Sequence, residues 1–200
     1  MGFLLRVGSY LFHPLFMPLL GWVLYIIIQP VHPKALILQY TYKDVLLFTL
    51  IIPALFWSYL KLRNRISDWD VEKVKERSIP LLLYSLCIMA FIYLAKLNYI
   101  LPYKAFVYGI LTSVITCWIL TLIKVKVSLH QLGISGLLIF VICLSIYFQI
   151  NLLLYISILF IANGWVASSR LYLKKHSPIE LGLGFVLGAL PQLYLVTYWL

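Results

Sequence analysis

The chain has 200 residues, of which 64% are hydrophobic and 11% charged, and its net charge is +10. Soluble domains carry about 25% charged residues, so a water-exposed globule is excluded. The apolar residues come in long blocks without alternation, which excludes a transmembrane β-barrel and leaves helices as the spanning element.

Seven apolar segments follow in chain order, at 9–29, 45–62, 79–98, 103–123, 132–150, 152–168 and 179–199. The expected fold is all-α: a polytopic membrane helix bundle of six to seven transmembrane helices, in one membrane-embedded domain over 1–200. The first segment has no small-residue cleavage site and reads as a retained helix. Pro53 is expected to kink the short second segment. Only Gln149, Ile150 and Asn151 separate the fifth and sixth segments, which predicts a tight hairpin. Cys87, Cys117 and Cys143 lie far apart inside apolar blocks, so they suggest core residues rather than disulfides or a zinc site.

Alternating crossings put the connections after segments two, four and six on the side of the N-terminus. The first holds Lys61, Arg63, Arg65, Lys73, Lys75 and Arg77, the second Lys124, Lys126 and His130, and the third Arg170, Lys174, Lys175 and His176. Arg6 joins them, and only Lys34, Lys43, Lys96 and Lys104 fall on the opposite side. Retention of positive loops in the cytoplasm explains much of this asymmetry. It does not explain a histidine at each of the two later connections. In a membrane chain such an excess points to topology, anionic headgroups or a phosphate site rather than to nucleic acid.

The most informative stretch is Ser169-Arg170-Leu171-Tyr172-Leu173-Lys174-Lys175-His176-Ser177-Pro178-Ile179-Glu180, followed by Gly184 and Gly188. Pro178 suits the first turn of a helix. His176 then stands at the N-terminal end of the last helix, where backbone N–H groups and the helix dipole favour an anion. Glu180, one turn on, can reach the ring, fix its tautomer and leave the other nitrogen available for attack. Arg170 offers a planar fork to phosphate oxygens. Gly184 and Gly188 allow a neighbouring helix to pack closely.

This stretch, SR-x5-H-x3-E-x3-G-x3-G, resembles the third signature motif of the type 2 phosphatidic acid phosphatase family, membrane lipid phosphatases related to the vanadium haloperoxidases. Glu180 stands where that family usually has Asp. Val127-Ser128-Leu129-His130 is similar to the second motif, PSGH, and keeps its Ser and His. The first motif, K-x6-RP, is looser here. Arg77 precedes Pro80 by three residues, Asp70 occupies the position seven before Arg77, and Lys73, one helical turn before Arg77, is the candidate for the displaced lysine. Phe12-His13-Pro14-Leu15 resembles the opening of compact bacterial members, and His13 is given no catalytic role.

The resemblance implies a lipid-phosphate hydrolase of a bacterial inner membrane. His176 would be the nucleophile, Glu180 its orienting partner, and His130 the general acid and later base. Arg170, Arg77, Lys73 and Ser128 would bind phosphate. No cofactor or metal is expected: the acidic cluster Asp68, Asp70, Glu72 and Glu76 is irregularly spaced and interleaved with basic residues. Isoprenyl (pyro)phosphates, phosphatidate-type lipids, phosphatidylglycerophosphate and lipid A phosphates all remain compatible. Two other readings stand beside this one. A non-catalytic member would bind a phospholipid headgroup or partner subunit without turnover. A transporter would need a polar path, for which Ser113, Thr116, Ser145 and Asn163 are the few candidates.

Overall fold

A computed structural model describes residues 8, 11–30, 35–69, 71–95 and 97–199, with the backbone alone for 35–37. Arg6, Lys34, Asp70, Lys96 and the start of the first apolar segment lie outside the described residues.

The described chain forms seven apolar helices: α1 (Met17–Ile28, entered through a 3-10 turn at Pro14–Phe16), α2 (Ala35–Val45, Leu46–Ile51 and Ile52–Leu62 in one run), α3 (Ser78–Leu94), α4 (Leu101–Leu122), α5 (Leu129–Phe148), α6 (Leu153–Tyr172) and α7 (Pro178–Leu195). Five stretches are long and apolar enough to cross a membrane: Leu38–Leu62, Leu101–Leu122, Leu129–Phe148, Leu153–Tyr172 and Pro178–Tyr198. Pro14–Ile28 and Ser78–Leu94 are shorter apolar helices. This is the helical bundle expected of a multi-pass membrane protein. Its outer surface is correspondingly apolar, with Leu154, Phe160 and Ile161 of α6 exposed, as contact with lipid requires.

The second helix differs from expectation. It begins at Ala35 rather than near 45, because helix continues through the polar residues Gln39, Thr41, Lys43 and Asp44 that interrupt the apolar run. Thr41 is buried. Just ahead of Pro53 the helix widens into a π turn over Leu46–Ile51. Proline lacks an N–H and its ring crowds the carbonyl four residues back, and a wider turn relieves that crowding. Thr49 Oγ1 donates to the Val45 carbonyl at 2.7 Å and satisfies an acceptor there.

Four helices end in the same way without glycine. Asn64, Lys124, Gln149 and Lys174 each adopt positive φ just past α2, α4, α5 and α6. The next residue's N–H then closes back to the carbonyl five residues earlier, as in Val125 to Leu120 and Lys175 to Arg170, both at about 3 Å. At the far end of α5 this makes the expected hairpin, reinforced by Ser145 Oγ donating to the Ile150 carbonyl at 2.6 Å.

Helix α5 sits in the middle, with α7, α6, α1 and α4 around it. Its closest neighbour is α7. A Cβ on Gly188 would lie 2.1 Å from the Leu132 carbonyl oxygen and 2.3 Å from Ser135 Oγ, and one on Gly184 would lie 2.6 Å from the Ser128 carbonyl oxygen. The two glycines thus let α7 lie directly on the α5 backbone. Gln131 of α5 donates to Asn163 Oδ1 of α6 at 3.0 Å, and Asn163 donates in turn to the Leu159 carbonyl at 2.9 Å. Ser113 donates to the Leu187 carbonyl at 2.8 Å and Thr116 to the Thr112 carbonyl at 2.8 Å. Ser113, Thr116, Ser145 and Asn163, the side chains considered for a transport path, thus each donate to a backbone carbonyl.

Candidate functional site

Odd-numbered helices start on one end of the bundle, and each brings a cationic or imidazole side chain there. His13 caps the entry to α1, Arg77 precedes α3, His130 lies in the first turn of α5 and His176 just precedes α7. All four line one cavity, together with Arg170 from the last turn of α6. Several helix N-termini and two guanidinium groups facing one space favour an anion there.

His176 is built into the start of α7. Ser177 is the N-cap and accepts from the Glu180 amide at 3.3 Å, and Pro178 opens the first turn. Ser and Glu three apart form the sequence of a capping box, but the Glu180 carboxylate turns to the histidine instead. Its Oε2 lies 2.6 Å from His176 Nδ1. An ionised carboxylate only accepts, so Nδ1 carries the proton and Nε2 holds a lone pair. Burial holds the ring's pKa well below the ordinary histidine value, and the charges of Arg170, Arg77 and Lys126 push it the same way. His176 is therefore held in its neutral form, with the Nε2 lone pair free of a proton.

Arg77 is 3% exposed and fixed by two backbone carbonyls, with Nε donating to Val71 at 2.7 Å and Nη1 to Val127 at 2.6 Å. The first bond ties down the 63–77 connection and the second ties it to the start of α5. Val71 is held at φ 45, a strained conformation for a β-branched residue and one that clusters at functional sites. Burial lowers the Arg77 pKa from its usual value. Arg170 is 1% exposed.

The expected residues separate into two groups. His176, His130, Arg170 and Arg77 line the cavity together, with Glu180 behind His176. Lys73 and Ser128 do not line it. Lys73 has its side chain 67% exposed and pairs with Glu76 at 3.1 Å on the outer face of the connection. Lys73 and Arg77 flank Val74–Glu76, a short 3-10 turn rather than an α-helical one, so the two are not stacked on one face as an α turn would place them. Ser128 is fully buried as the N-cap of α5, where its Oγ accepts from the Gln131 amide at 3.4 Å.

Two neighbours were given no place in the site by the sequence reading. Lys126 Nζ lies 3.6 Å from Glu180 Oε2 and donates to the Lys175 carbonyl at 2.7 Å. It lay among basic residues that topology already explained, so nothing marked it. His13 meets His130 edge-on, with ring centroids 5.3 Å apart. A further ion pair, Lys175 to Glu72, joins the first and third connections.

Below the charged end the cavity runs between the helices, with Leu81, Phe106, Ile110 and Val114 among its walls. The site therefore has a cationic mouth and an apolar body. Comparison with protein-family models, curated proteins and solved structures yields no match to this chain.

Proposed function

We propose that this protein is an integral membrane lipid-phosphate phosphatase of the type 2 phosphatidic acid phosphatase kind, working through a phosphohistidine. The observation that carries the proposal is the 2.6 Å contact between His176 Nδ1 and Glu180 in a cavity shared with Arg77, Arg170 and His130. A lipid phosphate matches both parts of that cavity, with its anionic head among the guanidinium groups and its tail along the apolar wall.

In the first step the His176 Nε2 lone pair attacks phosphorus and the bond from phosphorus to the lipid oxygen breaks. Protonated His130 gives its proton to the departing alkoxide. Arg77 and Arg170 neutralise the phosphoryl oxygens, where most stabilisation of phosphoryl transfer is needed. Glu180 stabilises the positive charge that appears on His176. In the second step neutral His130 takes a proton from water, the water oxygen attacks phosphorus, the phosphorus–nitrogen bond breaks, and inorganic phosphate leaves. The cationic side chains supply the charge neutralisation this sequence requires. A bacterial inner membrane is the proposed location.

The test is phosphate release by the purified protein in detergent from a panel of lipid phosphates with EDTA present, alongside His176→Ala. Release that the variant lacks, with an acid-labile phosphoprotein trapped in the wild type, supports the reading. Release unchanged by His176→Ala would overturn it. A folded protein that binds the lipids without releasing phosphate would be a headgroup-binding relative instead.

A further inference from the structure

The cavity continues inward along α3. Arg77, Leu81 and Tyr84 recur at positions i, i+4 and i+7 and all line it, so they share one helix face. Two turns of helix place Tyr84 about 10 Å deeper than Arg77. The surroundings at that depth are largely apolar, and the Tyr84 ring meets Trp57 edge-on at 6.4 Å. Tyr84 is only 6% exposed, yet its hydroxyl has no hydrogen-bond partner among the described residues. Buried hydroxyls are nearly always bonded, and an exception asks for a reason. Two other polar residues lining the apolar body of the cavity are bonded: Ser113 donates to the Leu187 carbonyl, and Gln192 donates to the Phe106 carbonyl at 3.1 Å. A phenylalanine would fill the same space without the penalty, so packing alone does not account for tyrosine here.

We infer that Tyr84 is a specificity-determining residue whose hydroxyl donates a hydrogen bond to an acceptor that the bound lipid carries a short distance below its phosphate, of the kind an acyl ester carbonyl provides. The inference rests on the lipid-phosphate reading of the site. Its physical basis is the difference between two tails. A lipid with an ester at that depth satisfies the hydroxyl. A plain polyprenyl chain buries it against hydrocarbon and leaves it unbonded, which discriminates against that chain.

The experiment uses the full chain in detergent micelles, with an acylglycerol phosphate and its alkyl-ether analogue of equal length as probes. The two differ in the carbonyl alone. Binding is followed by tryptophan fluorescence, since Trp57 and Trp69 line the cavity, and phosphate release is measured on the same samples. Wild type is expected to bind the ester about fivefold to tenfold more tightly, the worth of one neutral hydrogen bond, and Tyr84→Phe is expected to bind both probes equally. Equal binding by wild type overturns the inference, as does a preference that persists in Tyr84→Phe. Failure of wild type to bind either probe overturns both the inference and the lipid-phosphate reading. Ester preference without phosphate release supports the role of Tyr84 while removing the hydrolase.

Discussion

The Ser128 amide donates to the Glu180 carbonyl oxygen at 3.1 Å, and this one bond joins the first turns of α5 and α7. It sets the helix that carries His130 against the helix that carries Glu180 and follows His176. The placement of His130, the proposed general acid, beside His176, the proposed nucleophile, is thus a consequence of how two helix N-termini meet, and it leads to the first prediction.

Glu180→Gln keeps the side-chain shape but removes the charge that orients and stabilises the imidazole. It should lower kcat by roughly a hundredfold or more while leaving KM little changed, as removal of the orienting carboxylate does in serine hydrolases. His176→Ala should lose at least about a thousandfold. Steady-state phosphate release from one lipid substrate measures both. A Glu180→Gln effect confined to KM would place the carboxylate outside the chemistry.

Arg77 and Lys73 should behave in opposite ways. Arg77→Lys loses the fork held by Val71 and Val127, and with it charged hydrogen bonds worth about 1.5–3 kcal/mol each. Activity should fall by tenfold or more. Lys73→Ala removes one solvent-screened pair of a kind that adds little, and should change activity by less than about threefold. A large loss at Lys73 would show that the connection closes over the substrate.

His176 gives stability a defined pH dependence. Its folded pKa lies below the unfolded one, so below about pH 6.5 the unfolded ring takes up a proton that the folded ring refuses. Stability from this group is present above that pH and is lost as pH falls, by at most about 1.4 kcal/mol per pH unit. Thermal unfolding in detergent between pH 5 and 7 should show this slope, flattened in His176→Asn. An equal slope in the variant would assign the effect to another group.

Gly188→Ala should be severe. The added Cβ meets the Leu132 carbonyl, which belongs to backbone and cannot swing aside. Overpacking of this kind costs about 1–3 kcal/mol, to be read as a lower unfolding temperature with loss of activity. Gly182→Ala is the control, because nothing lies within 4 Å of a Cβ there.

Much of the site was legible because its key relationships are local. His176 and Glu180 meet at one helix start and the two glycines follow on the same helix, so their spacing alone fixes their relative geometry. Alternating topology then brought Arg77, His130 and Arg170 to the same end. The contact of Lys126 with Glu180 was not legible because it crosses between two connections, and that of His13 with His130 because it joins two helices distant in sequence. Helix ends were obscured for another reason: Asn64, Lys124, Gln149 and Lys174 do what glycine usually signals. The early start of α2 was hidden by polar residues within it. The position of Lys73 outside the cavity was not legible, because an α-helical spacing does not hold across a 3-10 turn.

The seam between α5 and α7 also sets an order of opening. Backbone lying directly on backbone leaves little room for local fluctuation, and amides there can exchange with solvent only through large-scale unfolding. The connection between α2 and α3 lies outside that seam, with Trp69 half-exposed at the cavity, and the amides of its exposed residues Arg63 and Asn64 should exchange earlier. The proposed acid His130, and Glu180 behind the proposed nucleophile His176, are therefore mounted where amides should exchange slowly, and under the proposed function a lipid headgroup would enter past amides that should exchange sooner.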